Sequence, residues 1–365
     1  MLRDVAIVIE GEPGAELLGL TVLSRAILVF ARGGAGRVFL VGDPGGAADE
    51  GRRRAGVPVE TVADLAAARQ AASGPLLVAS SAAVYDAARV RVLLETAATG
   101  ETVVPPLVPA ASCAERRLAE TALLSALVKP TDGWVSVHIN RKLSLAVTRR
   151  IVGTGVTPNA VTLVANGIGF LGVWLVFRST WVGLLAGALL VQLQSVLDGV
   201  DGEIARLRFL SSRLGEWLDN VLDDFVNIGF GVALGFATAR LRGEPLYRWL
   251  GLGAGAGMLL YNLLVYAQLH FVHHSGNPFR FRWWFQRPGE DVAASLARAG
   301  AFARVGAFAR ALGRRDVFLL IFLVLVAARQ PHIPVIWFAV VAAGYLPLTV
   351  AQIVVAAHRA LRPSR

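Results

Sequence analysis

Apolar residues fall along this chain in two rhythms. Up to about residue 125 they come in short runs broken by turn residues. Residues 5–9 form one such run, closed by Glu10-Gly11-Glu12-Pro13-Gly14, which predicts a buried strand and its turn. Residues 37–41, closed by Gly42-Asp43-Pro44, predict a second strand, and residues 57–60 and 75–79 two more. Helices are predicted over residues 17–30 and 65–72. Strands that alternate with helices imply a parallel sheet covered on both faces.

Beyond residue 150 the apolar runs lengthen to the ~20 residues that a bilayer crossing needs. Six are predicted: residues 160–177, 181–197, 221–239, 246–271, 317–328 and 333–357. The fifth is short, and acids stand at the end of the second and inside the third. Between the halves, residues 118–152 are basic and amphipathic, with Leu143, Val147, Arg150 and Ile151 at helical spacing, as in a helix lying in the membrane interface. The domain boundaries drawn from this pattern are 1–125, 126–158 and 159–365.

Composition supports the division. Of 365 residues 55% are hydrophobic and 17% charged, against about 25% charged in soluble domains. The mean hydropathy is +0.56. The low charge excludes a disordered chain, and one cysteine, Cys113, excludes a disulfide scaffold. The net charge of +10 suits nucleic acid or basic membrane loops. Placement decides between them. Arg141, Lys142, Arg149 and Arg150 precede the first span, Arg206, Arg208 and Arg213 lie between the second and third, and eight arginines from Arg280 to Arg315 lie between the fourth and fifth. Six spans put all these segments on one side. The positive-inside rule makes that side cytoplasmic, together with the α/β half. No helix-turn-helix, zinc or RNA-binding signature is present, so no nucleic-acid partner is expected. Arg280-Phe-Arg-Trp-Trp-Phe-Gln-Arg287 reads as an interfacial aromatic belt, and His273 and His274 as interfacial residues. Gly251, Gly253, Gly255 and Gly257 give a smooth helix face for close packing or for a homodimer.

The candidate chemistry lies in the minority charge. Asp198 and Asp201 are three residues apart and Asp219 and Asp223 four apart, so each pair shares one face of its helix. A short turn joins the two helices, and four carboxylates can converge. They would repel unless cations intervened. Oxygen ligands without Cys or His suit Mg²⁺ or Mn²⁺, and a pair of such ions would clamp a diphosphate. Gly202 and Ala205 remove bulk from the same helix, and Arg206 offers a forked contact to phosphate. Asp224 is an extra acid, expected to face away. The same acids in a membrane also suit a cation transporter or binding protein. Their confinement to one helix pair, with Gly and Ala at fixed offsets, fits a nucleotide site better than a path across the bilayer.

Asp198-x₂-Asp201-Gly202-x₂-Ala205-Arg206-x₈-Gly215-x₃-Asp219-x₃-Asp223 resembles the signature of the CDP-alcohol phosphotransferases at all eight positions. The resemblance implies a six-helix transmembrane bundle that moves a substituted phosphate from a CDP-linked donor to an alcohol acceptor and releases CMP, with Mg²⁺ or Mn²⁺, two ions, as cofactor. It implies that Asp198, Asp201, Asp219 and Asp223 are metal ligands, with Asp223 also the general base. Asp198, Gly202, Ala205 and Arg206 would line the CDP site, and Gly215 would permit close helix approach. Arg141, Arg213, Arg314 and Arg315 are candidates for an acceptor phosphate. Lys129-Pro-Thr-Asp-Gly-Trp-Val-Ser, Asn140-Arg141 and Thr157-Pro158-Asn159 resemble the subgroup that includes di-myo-inositol-phosphate-phosphate synthases. Some members of that subgroup carry an N-terminal cytidylyltransferase. The first half is similar to that Rossmann-like nucleotidyltransferase fold, with departures. The expected Gly-rich basic loop reads Glu10-Gly11-Glu12-Pro13-Gly14-Ala15-Glu16. The catalytic Lys is missing near Arg25, and Ser80-Ser81 stand where a metal-binding Asp is expected. A degenerate transferase is the reading that follows.

Overall fold

Val5, Ala6 and Ile7 have no exposed surface. They form the middle of β1 (Arg3–Val8), the central strand of a parallel five-stranded sheet in a computed structural model that describes residues 3–96, 101–129, 132–271, 274 and 314–360. The other strands are β2 (Ala35–Val41), β3 (Val59–Val62), β4 (Leu76–Ser80) and β5 (Glu101–Val103). Their order is β3-β2-β1-β4-β5, all parallel. Buried runs in successive strands leave apolar faces that helices must cover. One face packs on α1 (Val22–Gly33), whose Leu23, Ile27 and Phe30 join Val5, Ile7, Val38 and Leu40 in the main core. The other packs on α3 (Leu65–Ala71) through Ala6, Phe39 and Ala68.

The expected helix over residues 17–30 starts later. Leu18 and Gly19 have positive φ, 48° and 76°, and turn Glu16–Leu17 back against Leu20–Thr21. The run of leucines keeps a helical rhythm while the backbone makes a hairpin, which glycine at such φ permits. Thr21 then caps α1, its Oγ1 accepting from Ser24 N at 3.1 Å. Strand β3 starts two residues after the expected position, beyond Pro58, which has no N–H to donate. The short strand β5 carries no apolar run that would have revealed it. The unit also holds α2 (Asp49–Ala55), α4 (Ala87–Thr96) and α5 (Cys113–Ser125).

The basic stretch before the membrane is two helices, not one. α5 ends at Ser125, and α6 (Arg141–Ile151) follows a π turn at Ser136–Asn140. By contact the chain divides into one unit of Met1–Lys129, Thr148–Val156 and Arg206–Phe209, and a second of Pro130–Val147, Thr157–Ala205 and Leu210–Arg365.

The second unit is helical: α7 (Pro158–Phe177), α8 (Trp181–Leu207), α9 (Arg213–Arg242), α10 (Leu246–Phe271), α11 (Arg315–Ala327) and α12 (His332–Ala360). Among the described residues five helices are long and apolar enough to cross a membrane. The expected fifth span is α11, of 13 residues, which at 1.5 Å per residue is about 20 Å and shorter than the ~30 Å hydrocarbon layer. Helices α8 and α9, of 27 and 30 residues, outrun the apolar segments by which they were anticipated. The acid-bearing turns continue as helix although hydropathy falls there. The aromatic stretch from Arg280, the arginines from Arg280 to Arg310, and His273 lie outside the described residues.

Helices α9 and α10 meet at glycines. A Cβ on Gly235 would lie 2.8 Å from the Gly251 Cα, and one on Gly253 would meet nothing within 4 Å. A Cβ on Gly255 would meet Val232 at 2.5 Å and one on Gly257 would meet Ala342 at 3.7 Å, so three of the four glycines face neighbours inside the chain. Gly251→Leu should force these helices apart and lower stability by about 1–3 kcal/mol, whereas Gly253→Leu should leave it unchanged. Thermal melts of the two variants in detergent measure this; equal melting temperatures would contradict the packing.

Candidate active site

Polar residues recur at helical spacing on three neighbouring segments of the membrane unit. They are Thr162 and Asn166 on α7, Gln194, Asp198 and Asp201 on α8, and Asp219, Asp223 and Asn227 on α9. Local chemistry sets each helix start. Thr157 caps α7, accepting from Ala160 N at 3.3 Å with Pro158 in the first turn, and Ser212 caps α9, accepting from Gly215 N at 3.0 Å. Gly215 passes close to α7, where an added Cβ would stand 3.0 Å from Asn159 Oδ1.

The carboxylates converge. Asp198, Asp219 and Asp223 each offer an oxygen, and these atoms lie within 4.8 Å of one another. Asp201 lies within hydrogen-bond reach of Asp219. Its own carboxylate is oriented by Thr162 Oγ1 and by the Gly202 N–H, both donating to it. Asp201 and Asp223 are buried. Arg315, from the first turn of α11, donates to Asp223, stands 3.5 Å from Asp198, and donates to Gln194 Oε1 at 2.6 Å. Gln194 Nε2 in turn donates to Asp223 Oδ1 at 2.6 Å.

Whether these residues fit a divalent cation can be judged from the oxygens. Asp198 Oδ1 and Asp219 Oδ1 are buried without a hydrogen-bond partner. A buried carboxylate oxygen without a donor is costly. Four acids against one guanidinium leave 4 − 1 = 3 negative charges if all are ionised. The donor set is all oxygen, which suits hard cations such as Mg²⁺ or Mn²⁺. The fit is good.

Of the arginine candidates, the structure brings Arg315 to the acids. Arg141 is engaged elsewhere, donating to Asp132 at 3.0 Å and to the fully buried Glu203 at 2.9 Å, where Ser144 also donates at 2.6 Å. Arg314 pairs with Asp316 at 3.3 Å beside Gly133. Arg213 is the exposed first residue of α9. Gly202 and Ala205 lie on α8, and Arg206 on its last turn, within the segment Arg206–Phe209 of the other unit.

A cavity of about 360 Å³ adjoins the acids. Asn220, Asp223, Asp224, Asn227 and Asn262 line one part of it, and Phe230, Phe322 and Trp337 another. Asp224 was expected to face away. It lines this cavity, because Tyr266 of α10 gives its carboxylate a hydroxyl donor there. Asn227 Oδ1 is buried and unpartnered. Gln194 and Thr162 were missed in the sequence reading. Their signal was a polar residue in an apolar span, Gln194 lying one turn before Asp198.

Residues 155–285 match the family model described as CDP-alcohol phosphatidyltransferase. The chain is 37% identical over 147 residues to a protein of Thermococcus kodakarensis named bifunctional IPC transferase and DIPP synthase, covering 40% of this chain and 32% of that one. A protein of the same name from Archaeoglobus fulgidus is 44% identical over 115 residues, covering 31% of this chain and 22% of the relative. These matches span a third or less of the relatives' lengths. Inner membrane protein YnjF of Escherichia coli is 32% identical over 128 residues, covering 34% of this chain and 57% of that protein.

Thr162→Val should remove the hydroxyl that orients Asp201. Loss of such a supporting contact weakens metal binding by about 10–100-fold. Titration of the purified variant with Mn²⁺, followed by electron paramagnetic resonance, checks this. Affinity equal to that of the unsubstituted protein would contradict it.

Proposed function

We propose that this chain, which carries a CDP-alcohol phosphatidyltransferase domain, transfers a substituted phosphate group from a CDP-linked donor to an alcohol and releases CMP. The observation that carries the reading is the set of carboxylates from α8 and α9 within 4.8 Å of one another, two of them with buried oxygens that lack a donor. Asp198, Asp201, Asp219 and Asp223 would hold two divalent cations, Mg²⁺ or Mn²⁺. Such ions, when bound, would offset the charge of the diphosphate and of the departing CMP. The chain's own residues do the rest. Gly202 and Ala205 leave room for the cytidine beside α8, and Arg206 meets phosphate charge.

The acceptor alcohol would enter the cavity beside Asp223. Its hydroxyl proton passes to the Asp223 carboxylate as the new O–P bond forms and the bond to CMP breaks. Gln194 and Arg315 fix that carboxylate. Asn220, Asn227 and Asn262 offer amides to further hydroxyls of the acceptor, and the unpartnered Asn227 Oδ1 supports that placement. The names of the archaeal relatives favour a CDP-inositol donor and an inositol phosphodiester product over CDP-diacylglycerol and a phospholipid. Basic segments on one side of the spans support a cytoplasmic α/β unit and active site.

Within the α/β unit, contacts around the expected nucleotide loop support loss of cytidylyltransferase activity. Ligands bind outside the carboxyl ends of parallel strands where the order reverses, here between β1 and β4. There Ser80 Oγ donates to Glu10 Oε2 at 2.6 Å, Glu10 N donates to Ser81 Oγ at 2.8 Å, and Arg116 pairs with Glu12 at 3.1 Å. The loop is tied down by its own acids, which repel triphosphate.

The test is CMP release by the purified chain from CDP-inositol and from CDP-diacylglycerol, each with inositol, inositol phosphate and glycerol phosphate, with and without chelator. We expect chelator-sensitive release. Asp223→Asn should keep donor binding and lose about 10²–10⁴-fold in turnover, the range for a general base. Normal turnover by that variant would remove Asp223 from the role. The chain incubated with CTP and inositol phosphate should release no pyrophosphate; release would overturn the degenerate reading.

A further inference from the structure

The α/β unit contains a piece of the acid motif's own spacer. Residues Arg206–Phe209, the end of α8 and the start of the link to α9, belong to that unit by contact. Helix α8 (Trp181–Leu207) carries Asp198 and Asp201 as well as the first two residues of this segment.

Three attachments hold the segment there. Arg25 of α1 is 2% exposed. Its guanidinium donates to the carbonyl oxygens of Leu207 at 2.8 Å, Leu17 at 2.7 Å and Leu18 at 3.3 Å. Arg54 of α2 donates to the carbonyl oxygens of Phe209, at 3.0 Å, and Arg208. The Phe209 side chain packs against the main core of the sheet and α1.

The backbone of the segment explains why it needs holding. Leu210 N donates to Ala205 O at 2.8 Å and Phe209 N to Arg206 O at 3.4 Å, the pair of bonds that ends a helix in a left-handed residue. That position usually takes glycine. Here it is Phe209, with φ of 56°, a conformation that is strained for a residue with a side chain. The Leu207 carbonyl ends α8 beyond that pair of bonds, and it lies at the negative end of the helix dipole. Arg25 and Arg54 supply both donors and positive charge. Burial pushes the Arg25 guanidinium down to about 10, so its place in the core is itself unfavourable and is offset by these carbonyls.

We propose that the α/β unit is a clamp on the link between α8 and α9, and that Arg25 is a positioning residue that sets the register of Asp198 and Asp201 against Asp219 and Asp223. One residue of slip in either helix moves its carboxylates by about 1.5 Å and 100°, and a metal or catalytic site tolerates about 0.5 Å. The α/β unit thus serves a site whose metal ligands it does not contain. The proposal rests on the reading of the acids as a cation site, and the test separates the two.

Arg25→Met, Arg25→Lys and Arg54→Gln would be made in the full chain and purified in detergent, with Val90→Ala as a control that weakens the same core away from the link. Hydrogen exchange of residues 207–212, Mn²⁺ affinity, and the KM and kcat of CMP release would be measured. We expect Arg25→Met to raise exchange in 207–212 and weaken Mn²⁺ binding about tenfold, with Arg25→Lys partly restoring both and Val90→Ala changing neither. The loss should fall on kcat more than on the donor KM. Arg54→Gln should shift exchange and Mn²⁺ binding in the same direction by less, and decides the matter if Arg25→Met does not accumulate. Unchanged exchange in 207–212, or equal loss of Mn²⁺ in Val90→Ala, would overturn the clamp. Failure of the unsubstituted chain to bind Mn²⁺ would instead overturn the cation reading, and the exchange data would still decide the clamp.

Discussion

Carboxylates held close together in a membrane protein repel, and helices that carry them would separate if nothing offset the charge. The architecture around Asp198, Asp201, Asp219 and Asp223 is a response to that constraint. Arg315 reaches in from α11 to Asp223 and Asp198. Thr162 and the Gly202 N–H take up Asp201, and Gln194 bridges Asp223 and Arg315. What these groups leave over is an excess of negative charge with buried, unpartnered oxygens, which is what a hard divalent cation requires.

Close helix packing serves the same end. Gly215 lets α9 pass Asn159 of α7, and Gly235 and Gly251 bring α9 against α10. Helix α9 carries Asp219 and Asp223, so both approaches bear on where those carboxylates stand. Helix α10 also supplies Tyr266, which holds Asp224 at the cavity wall.

The acid pairs were legible in the sequence because three- and four-residue spacing fixes a helix face whatever surrounds it. The parallel sheet was legible because its strands are continuous apolar runs. The hairpin at residues 16–21 was not, since Leu17, Leu18 and Leu20 fit a helix as well as a strand and only the backbone of Leu18 and Gly19 decides. Gln194 and Thr162 were hidden by the rule that polar residues in apolar spans matter when they are charged. Arg25 stood in plain view as a basic residue near an expected catalytic lysine. Its partners are main-chain carbonyls, which no side-chain pattern announces.

The central claim is that carboxylates of α8 and α9 together hold a divalent cation. Crystals of the purified chain soaked in Mn²⁺ test it most directly, by anomalous scattering at the manganese edge. The account predicts a peak within about 2.2 Å of oxygens of Asp198, Asp219 and Asp223. It also predicts loss of that peak in Asp219→Asn. A peak elsewhere, or none among these residues, would contradict it.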